Sequence, residues 1–387
     1  MSFMRERLGY VFVLGFVGFV TSFGAHIVAV NLPVYAKQVG VGVAAIGLLI
    51  AIYDFAEIVA KPLFGALADR QGMKRTMLVG IALFTFASLV YLWVDPRLLL
   101  LVRFLQGIGA AALSAVSLAL VGVYYQEQRG RAFGIYNAIR GAGYVVSPAV
   151  GGLIVLKSDF AAIFIASAAI GVAAFLASLG LPDSKGSSRG NIDEDDDDFS
   201  FGALTAAFRD SKLWKWYAVI VVNMFFVSIL FGFLPVRVYA LGYDPLTTGV
   251  VLSLVAVSYL VVQPLAGRLA DKTDAAWTIR IGLALAAAGI ILAGFVRDVP
   301  LVLVSVMAGV GVGIVWTNTD HLVSKLAKQG RMGATMGTAG SFKELGDMVG
   351  PIVIGTLSQV FGLAAGFAIC GAAGLLSLGL LSREKGD

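Results

Sequence analysis

The stretch Lys61-Pro-Leu-Phe-Gly-Ala-Leu-Ala-Asp-Arg70 returns 202 residues later as Gln263-Pro-Leu-Ala-Gly-Arg-Leu-Ala-Asp-Lys272. Pro62, Gly65, Leu67, Ala68 and Asp69 reappear as Pro264, Gly267, Leu269, Ala270 and Asp271. Each copy stands where a long apolar segment runs into a short charged loop. A second correspondence keeps the frame: Gly134, Arg140, Gly143, Pro148 and Gly152 fall, 203 residues on, on Gly337, Lys343, Gly346, Pro351 and Gly355. Two matches in one register mark an internal duplication, with the second half of the chain built as a repeat of the first.

The repeated unit is suited to lipid. Of the 387 residues, 58% are hydrophobic and 14% charged, and the mean hydropathy is +0.88. A soluble domain carries roughly a quarter charged residues. Runs of about 20 apolar residues recur from Gly9 onward, each long enough at ~1.5 Å per residue for a ~30 Å hydrocarbon layer. They are continuously apolar rather than alternating, which argues against a β-barrel. The first run follows Arg5 and Arg7, as a signal peptide would, but continues into Pro33 and Tyr35 without a cleavage-type site and reads as a retained helix. One cysteine, Cys370, rules out an internal disulfide or a thiolate cluster, and His26 and His321 are too few for a histidine-built metal site. No metal and no cofactor are expected. The net charge of +5 sorts by membrane side, so it implies no nucleic-acid partner.

The pattern predicts an all-α membrane protein of twelve spans, near 9–36, 43–67, 76–94, 97–124, 132–156, 160–181, 216–240, 245–267, 280–296, 300–324, 333–357 and 361–381. They divide into a six-helix bundle over 1–181, a linker over 182–215 and a second six-helix bundle over 216–387. The linker holds the acidic run from Asp193 to Asp198, read as a solvated loop. Phe201, Leu204, Phe208 and Trp214 follow and suggest a short amphipathic helix on the membrane surface. With both termini inside, twenty of the 29 Lys and Arg fall on the inner side and only Lys37, Arg97, Lys157 and Arg297 outside. That asymmetry predicts cytoplasmic termini.

An ionisable group at the membrane centre costs about 2.5–3.5 kcal/mol or more, so its placement is informative. Spans 3, 6 and 12 carry none and span 9 only Arg280 at its inner end, which fits them to face lipid and the others to line a polar cavity between two bundles. Asp54, Arg140, Lys343, Glu344 and Asp347 come out at mid-membrane depth. Arg103, His26 and Arg237 lie toward the outer side, and Glu57, Lys61, Asp320 and His321 toward the inner side. Glu57 and Lys61, four apart, read as a structural ion pair. Asp54 has no cation three or four residues away on its helix, and a desolvated carboxyl there can exchange a proton near neutral pH. Lys343 and Asp347 share a face and can neutralise one another, which leaves Glu344 as a second titrating candidate. Asp320 and His321 read as a hydrated helix end, and His26 as either a cavity group or a packing residue.

Gly65-Ala-Leu-Ala-Asp-Arg-Gln-Gly-Met-Lys-Arg75 resembles the loop 2–3 motif of the major facilitator superfamily, Gly-x-Leu-Ala-Asp-Arg-x-Gly-Arg-Lys-Arg, with Met73 the main departure. Arg103-Phe-Leu-Gln-Gly-Ile-Gly109 resembles the family's helix 4 motif, associated with proton coupling. Gly143-Tyr-Val-Val-Ser-Pro-Ala-Val-Gly-Gly152 is similar to the helix 5 motif of drug:proton antiporters, except that Ser147 replaces the glycine before the proline. The resemblance covers essentially the whole chain.

That resemblance implies a monomeric, proton-coupled exporter of a small organic compound, working by alternating access in a bacterial-type inner membrane. Its partners would be the substrate, protons and the bilayer, and it would not be an enzyme. Asp54, Glu344 and Asp347, with Arg103 as coupling cation, are the candidate proton-coupling residues. His26, Glu57, Arg140, Lys343, Tyr259, Trp316 and Phe226 are the candidate cavity residues. Gating would fall to Gly65, Asp69, Arg70, Gly72, Lys74 and Arg75 in the first loop, to Asp271 in its repeat, and to Pro148, Gly152 and Pro351 within spans. Two alternatives stay open: an exporter of an organic anion or phosphate-bearing compound clamped by Arg140 and Lys343, and, more weakly, a metal-ion exporter.

Overall fold

The computed structural model describes residues 2–38, 40–125, 129–182, 211–270, 274–326 and 332–381, and their regular structure is helical throughout. The first half holds α1 (Ser2–Gln38), α2 (Val43–Gln71), α3 (Met73–Val90), α4 (Leu99–Tyr124), α5 (Arg129–Lys157) and α6 (Phe160–Leu179). The second holds α7 (Ser211–Gly232), α8 (Leu234–Ala240), α9 (Pro245–Ala270), α10 (Ala275–Ala293), α11 (Asp298–Leu326), α12 (Met332–Phe361) and α13 (Leu363–Leu381). Ten stretches among the described residues are long and apolar enough to cross a membrane, and Leu363–Gly379 is a shorter apolar one. The 30-residue α12 carries Lys343, Glu344 and Asp347 at its middle, which lowers its apolar content. The acidic run and Phe201, Leu204 and Phe208 lie outside the described residues. Trp214 is exposed, its ring edge-on to Phe342 at 5.6 Å.

Helix starts follow from capping chemistry. Asp159 accepts from the Ala162 N–H at 3.1 Å ahead of α6, and Asp274 from the Ala276 N–H at 2.9 Å ahead of α10. Asp244 accepts from the Thr247 N–H at 2.9 Å, with Pro245 at the first helical position of α9. Each satisfies an N–H that has no partner within its own helix.

The seventh span, expected over 216–240, is one apolar stretch, Leu213–Ala240, interrupted at Phe233 between α7 and α8. Pro235 has no N–H to offer the Phe231 carbonyl, yet Phe233 keeps right-handed helical geometry: its N–H donates to the Ile229 carbonyl at 2.9 Å and its carbonyl accepts from Arg237 at 3.0 Å. Pro33, 202 residues earlier, sits inside an unbroken α1. There Asn31 donates through its side-chain amide to the Ile27 carbonyl at 2.8 Å.

The described helices form two compact units. The first takes α1, α2 from Ile52 on, α3 to α6, and Gly242–Ser253; the second takes Val41–Ala51, α7, α8 and the chain from Leu254 on. The first turns of α2 (43–51) and α9 (245–253), each grouped with the opposite half's helices, are themselves 202 residues apart.

Packing within the units repeats in the same register. In the first, α1 packs on α5 and α3 on α4 and α6; in the second, α7 packs on α12 and α10 on α11 and α13. Lipid provides no hydrophobic drive between helices, so close backbone approach must supply the contact. A Cβ on Gly109 of α4 would run into the backbone of Phe84 on α3, and one on Gly311 of α11 into that of Ala286 on α10. Both members of the second pair stand 202 residues after those of the first.

Candidate functional site

In the first unit, Arg103 is the largest fully buried side chain, at 2% exposure. Its Nη1 donates to Gln106 Oε1 at 2.8 Å, one turn along α4, and its guanidinium lies 4.2 Å from the centroid of the Tyr53 ring. The Tyr91 hydroxyl donates to the same Gln106 oxygen at 3.2 Å. Gln106 Nε2 donates to Ser88 Oγ at 3.2 Å, and Ser88 Oγ meets Ser167 Oγ at 3.1 Å. A buried charge is thus spread over a polar chain and an aromatic face drawn from α2, α3, α4 and α6.

A second guanidinium belongs to Arg140 on α5, part-buried, with Nη2 donating to the Tyr144 hydroxyl at 3.4 Å. The His26 ring meets Tyr144 edge-on at 4.3 Å, and its Nδ1 donates to the Ser22 carbonyl at 2.9 Å. On α2, Glu57 is 8% exposed and pairs with Lys61 at 2.5 Å, the ion pair expected from their spacing. Asp54 is part-buried on the same helix. Among the described residues neither Arg103 nor Arg140 is in an ion pair.

In the second unit, Lys343 Nζ lies 2.8 Å from each carboxylate oxygen of Asp320 on α11. The same ammonium stands 4.8 Å from the centroid of the Trp316 ring, which is 5.8 Å from that of Tyr259. Asp320, expected at a hydrated helix end, is therefore part of the charged cluster. Glu344 and Asp347 are part-buried on α12. Phe226, anticipated as a cavity wall, is fully buried, and a Cβ on Gly374 of α13 would run into its ring. It is packing between α7 and α13.

The span residues anticipated as gating make two matching contacts. In the first unit, a Cβ on Gly249 of α9 would run into the Pro148 carbonyl, and one on Gly152 into the Pro245 carbonyl. In the second, a Cβ on Gly47 of α2 would run into the Pro351 carbonyl, and one on Gly355 would crowd that of Val43. In the first loop, Gly72 turns the chain between α2 and α3 at φ 100°, a conformation glycine adopts without strain. Lys74 Nζ donates to the Leu179 carbonyl at 2.9 Å and the Leu181 carbonyl at 2.5 Å, capping the end of α6. Arg75 is exposed. Gly65, Asp69 and Arg70 lie on α2, and Asp271 lies outside the described residues.

Four polar partners went unassigned on sequence alone: Gln106, Tyr53, Tyr91 and Tyr144. The first and last were within reach, standing three and four residues after Arg103 and Arg140 on one helix face. Tyr53 and Tyr91 join from other helices, and no spacing announces them.

The family model of the Major Facilitator Superfamily matches residues 14–257 and 237–386. The multidrug resistance protein Stp of Mycobacterium tuberculosis is 26% identical over 408 residues, covering 91% of this chain and 76% of that protein. The quinolone resistance protein NorA of Staphylococcus aureus is 24% identical over 367 residues, covering 90% of each. Among solved structures, the nucleoside transporter NupG superposes with a TM-score of 0.81 at 14% identity, over 97% of this chain and 100% of that one. The D-xylose–proton symporter does so with 0.77 at 14% identity, over 97% of each. These two likenesses speak for the fold. With its duplicated helices and a family match along nearly its whole length, the chain belongs to the Major Facilitator Superfamily.

Proposed function

We propose that the protein is a secondary active transporter that exports a small organic compound in exchange for protons, by alternating access. The observation that carries this reading is the set of ionisable side chains held inside membrane-length helices: Arg103, Glu57, Arg140, Lys343 and Asp320. Groups this costly in lipid persist where they handle ions or substrate. The resistance proteins Stp and NorA, similar along most of their length, support export as the direction. Transport rather than catalysis accounts for the site.

In this reading Asp54 in the first unit, and Glu344 and Asp347 in the second, exchange the protons, and Arg103 is the coupling cation for Asp54. His26, Glu57, Tyr259 and Trp316 line the substrate's path. Gly65, Asp69, Arg70, Gly72, Lys74, Arg75 and Asp271 form the inner gate, and Pro148, Gly152 and Pro351 the gate within the spans. The termini face the cytoplasm, the membrane is a bacterial inner membrane, and the protein acts as a monomer. The test is substrate movement in proteoliposomes under an imposed pH gradient, across a compound panel. Gradient-driven uptake of at least one compound is expected, and Asp54→Asn should abolish its coupling to the gradient. A panel in which no gradient moves any compound sinks the antiport reading.

A further inference from the structure

We infer that the first unit carries a recognition site for an anionic oxygen group on the transported compound, a carboxylate or a phosphate ester, held by Arg140 and Tyr144. The inference rests on the transporter reading above and gives it a substrate class.

The two cations that the repeat places at equivalent positions have different surroundings. Lys343 is answered by Asp320, 2.8 Å away, with Trp316 against its other side. Arg140 has no carboxylate partner among the described residues, and its one hydrogen bond is the 3.4 Å contact to Tyr144. Its Nε is buried with no acceptor. Of the five N–H donors on a guanidinium, most are therefore unspent, at a depth where an unmatched charge costs several kcal/mol.

The neighbouring groups do not discharge it. Glu57 lies within electrostatic reach of Arg140, but its carboxylate is taken by Lys61 at 2.5 Å. The unit's other buried guanidinium, Arg103, is spent on Gln106 and Tyr53 and is 2% exposed, so it reinforces the positive field without offering a surface. Arg140 is only part-buried and does offer one.

Tyr144 completes the geometry. Its oxygen accepts from Arg140, which leaves its own proton to donate, and the His26 ring packed edge-on at 4.3 Å holds the phenol in place. A planar fork beside a hydroxyl donor matches a carboxylate or phosphate oxygen pair. A compound that is only cationic would meet the guanidinium of Arg140 with no charge to offer it. Recognition is thus carried by Arg140 and Tyr144 within the first unit.

The test is equilibrium binding to the purified full-length protein in nanodiscs, with no gradient. The probes are matched pairs of graded size: dansyl-amino acids against their amides, and aryl phosphate monoesters against the parent alcohols. At least one anion should outbind its neutral partner by about tenfold, as expected for one charge-assisted hydrogen-bond set. Whether carboxylates or phosphates show the larger ratio assigns the group. Arg140→Gln should bring the ratio to near one, and Tyr144→Phe should reduce it several-fold. A panel with no anion preference in the unsubstituted protein overturns the inference, as does a preference that survives Arg140→Gln. Should Arg140→Gln fail to fold, Tyr144→Phe decides alone, and an unchanged ratio in that variant overturns the inference. Anion-selective binding without gradient-driven transport would overturn the antiport reading and leave this site standing.

Discussion

The ammonium of Lys343 on α12 lies 2.8 Å from both carboxylate oxygens of Asp320 on α11. The pair joins two helices through charges that neither helix could hold cheaply alone. Its side chains are 21% and 29% exposed, so the coupling falls short of that of a fully buried pair. Lys343→Met strands the Asp320 carboxylate and should cost about 1–2 kcal/mol of stability. The double variant with Asp320→Asn should recover most of the loss. Melting curves of the four proteins in detergent give the coupling energy directly; additive losses would show that the two charges do not stabilise one another.

Close approach at Gly47 and Gly249 should make both intolerant of a methyl group. The added Cβ would meet a proline carbonyl, which is backbone and cannot rotate aside. Gly47→Ala and Gly249→Ala should each cost about 1–3 kcal/mol and slow transport together, because the two contacts occupy the same place in the repeat. Gly340→Ala is the control: nothing stands within 4 Å of its Cβ position, and alanine favours the helix. A Gly340 loss as large as the other two would point to a general sensitivity of helical glycines.

Asp244 ties acid sensitivity to one helix start. Hydrogen bonds from the Thr247 side chain and backbone hold its carboxyl below the ordinary Asp value of 3.8. A depressed folded value means the ionised form is favoured by folding, so its contribution is full above the unfolded value and lost as pH falls through the folded one. Exposure keeps the effect small. Asp244→Ala should lower stability by about 0.5–1 kcal/mol at neutral pH and flatten the acid limb of the stability profile below pH ~4. An unchanged acid limb in the variant would assign that limb to other carboxylates.

How much could be read in advance differs by level. The duplication, the helical class and the Glu57–Lys61 pair were legible because each rests on short-range spacing or on a repeat visible by eye. The interruption at Phe233 was not, since Pro33 and Pro235 stand at equivalent positions of the repeat and only the second lies beside a helix break. The partner of Lys343 was equally hidden. Asp347 stands four residues away and Asp320 twenty-three, and only helix packing brings α11 against α12. Spacing therefore located the cations, while the choice of counter-ion was a tertiary event.

The polar core around Arg103 should be the most sensitive feature of the first half, with no equal in the second. Gln106 is the side-chain acceptor of the Arg103 charge and is itself fully buried. Gln106→Leu leaves that donor unsatisfied and strips Tyr91 and Ser88 of a partner, at about 2–3 kcal/mol. Arg103→Lys keeps the charge but loses the planar fork that lies over Tyr53, and should be nearly as costly. In the repeat, Arg103 corresponds to Ser305, whose Oγ donates to the Leu301 carbonyl of its own helix at 2.7 Å. Ser305→Ala removes that local bond alone and should cost about 1 kcal/mol or less. Melting temperatures of the three variants check the asymmetry, and equal losses at Gln106 and Ser305 would mean that Arg103 finds another acceptor when Gln106 is removed.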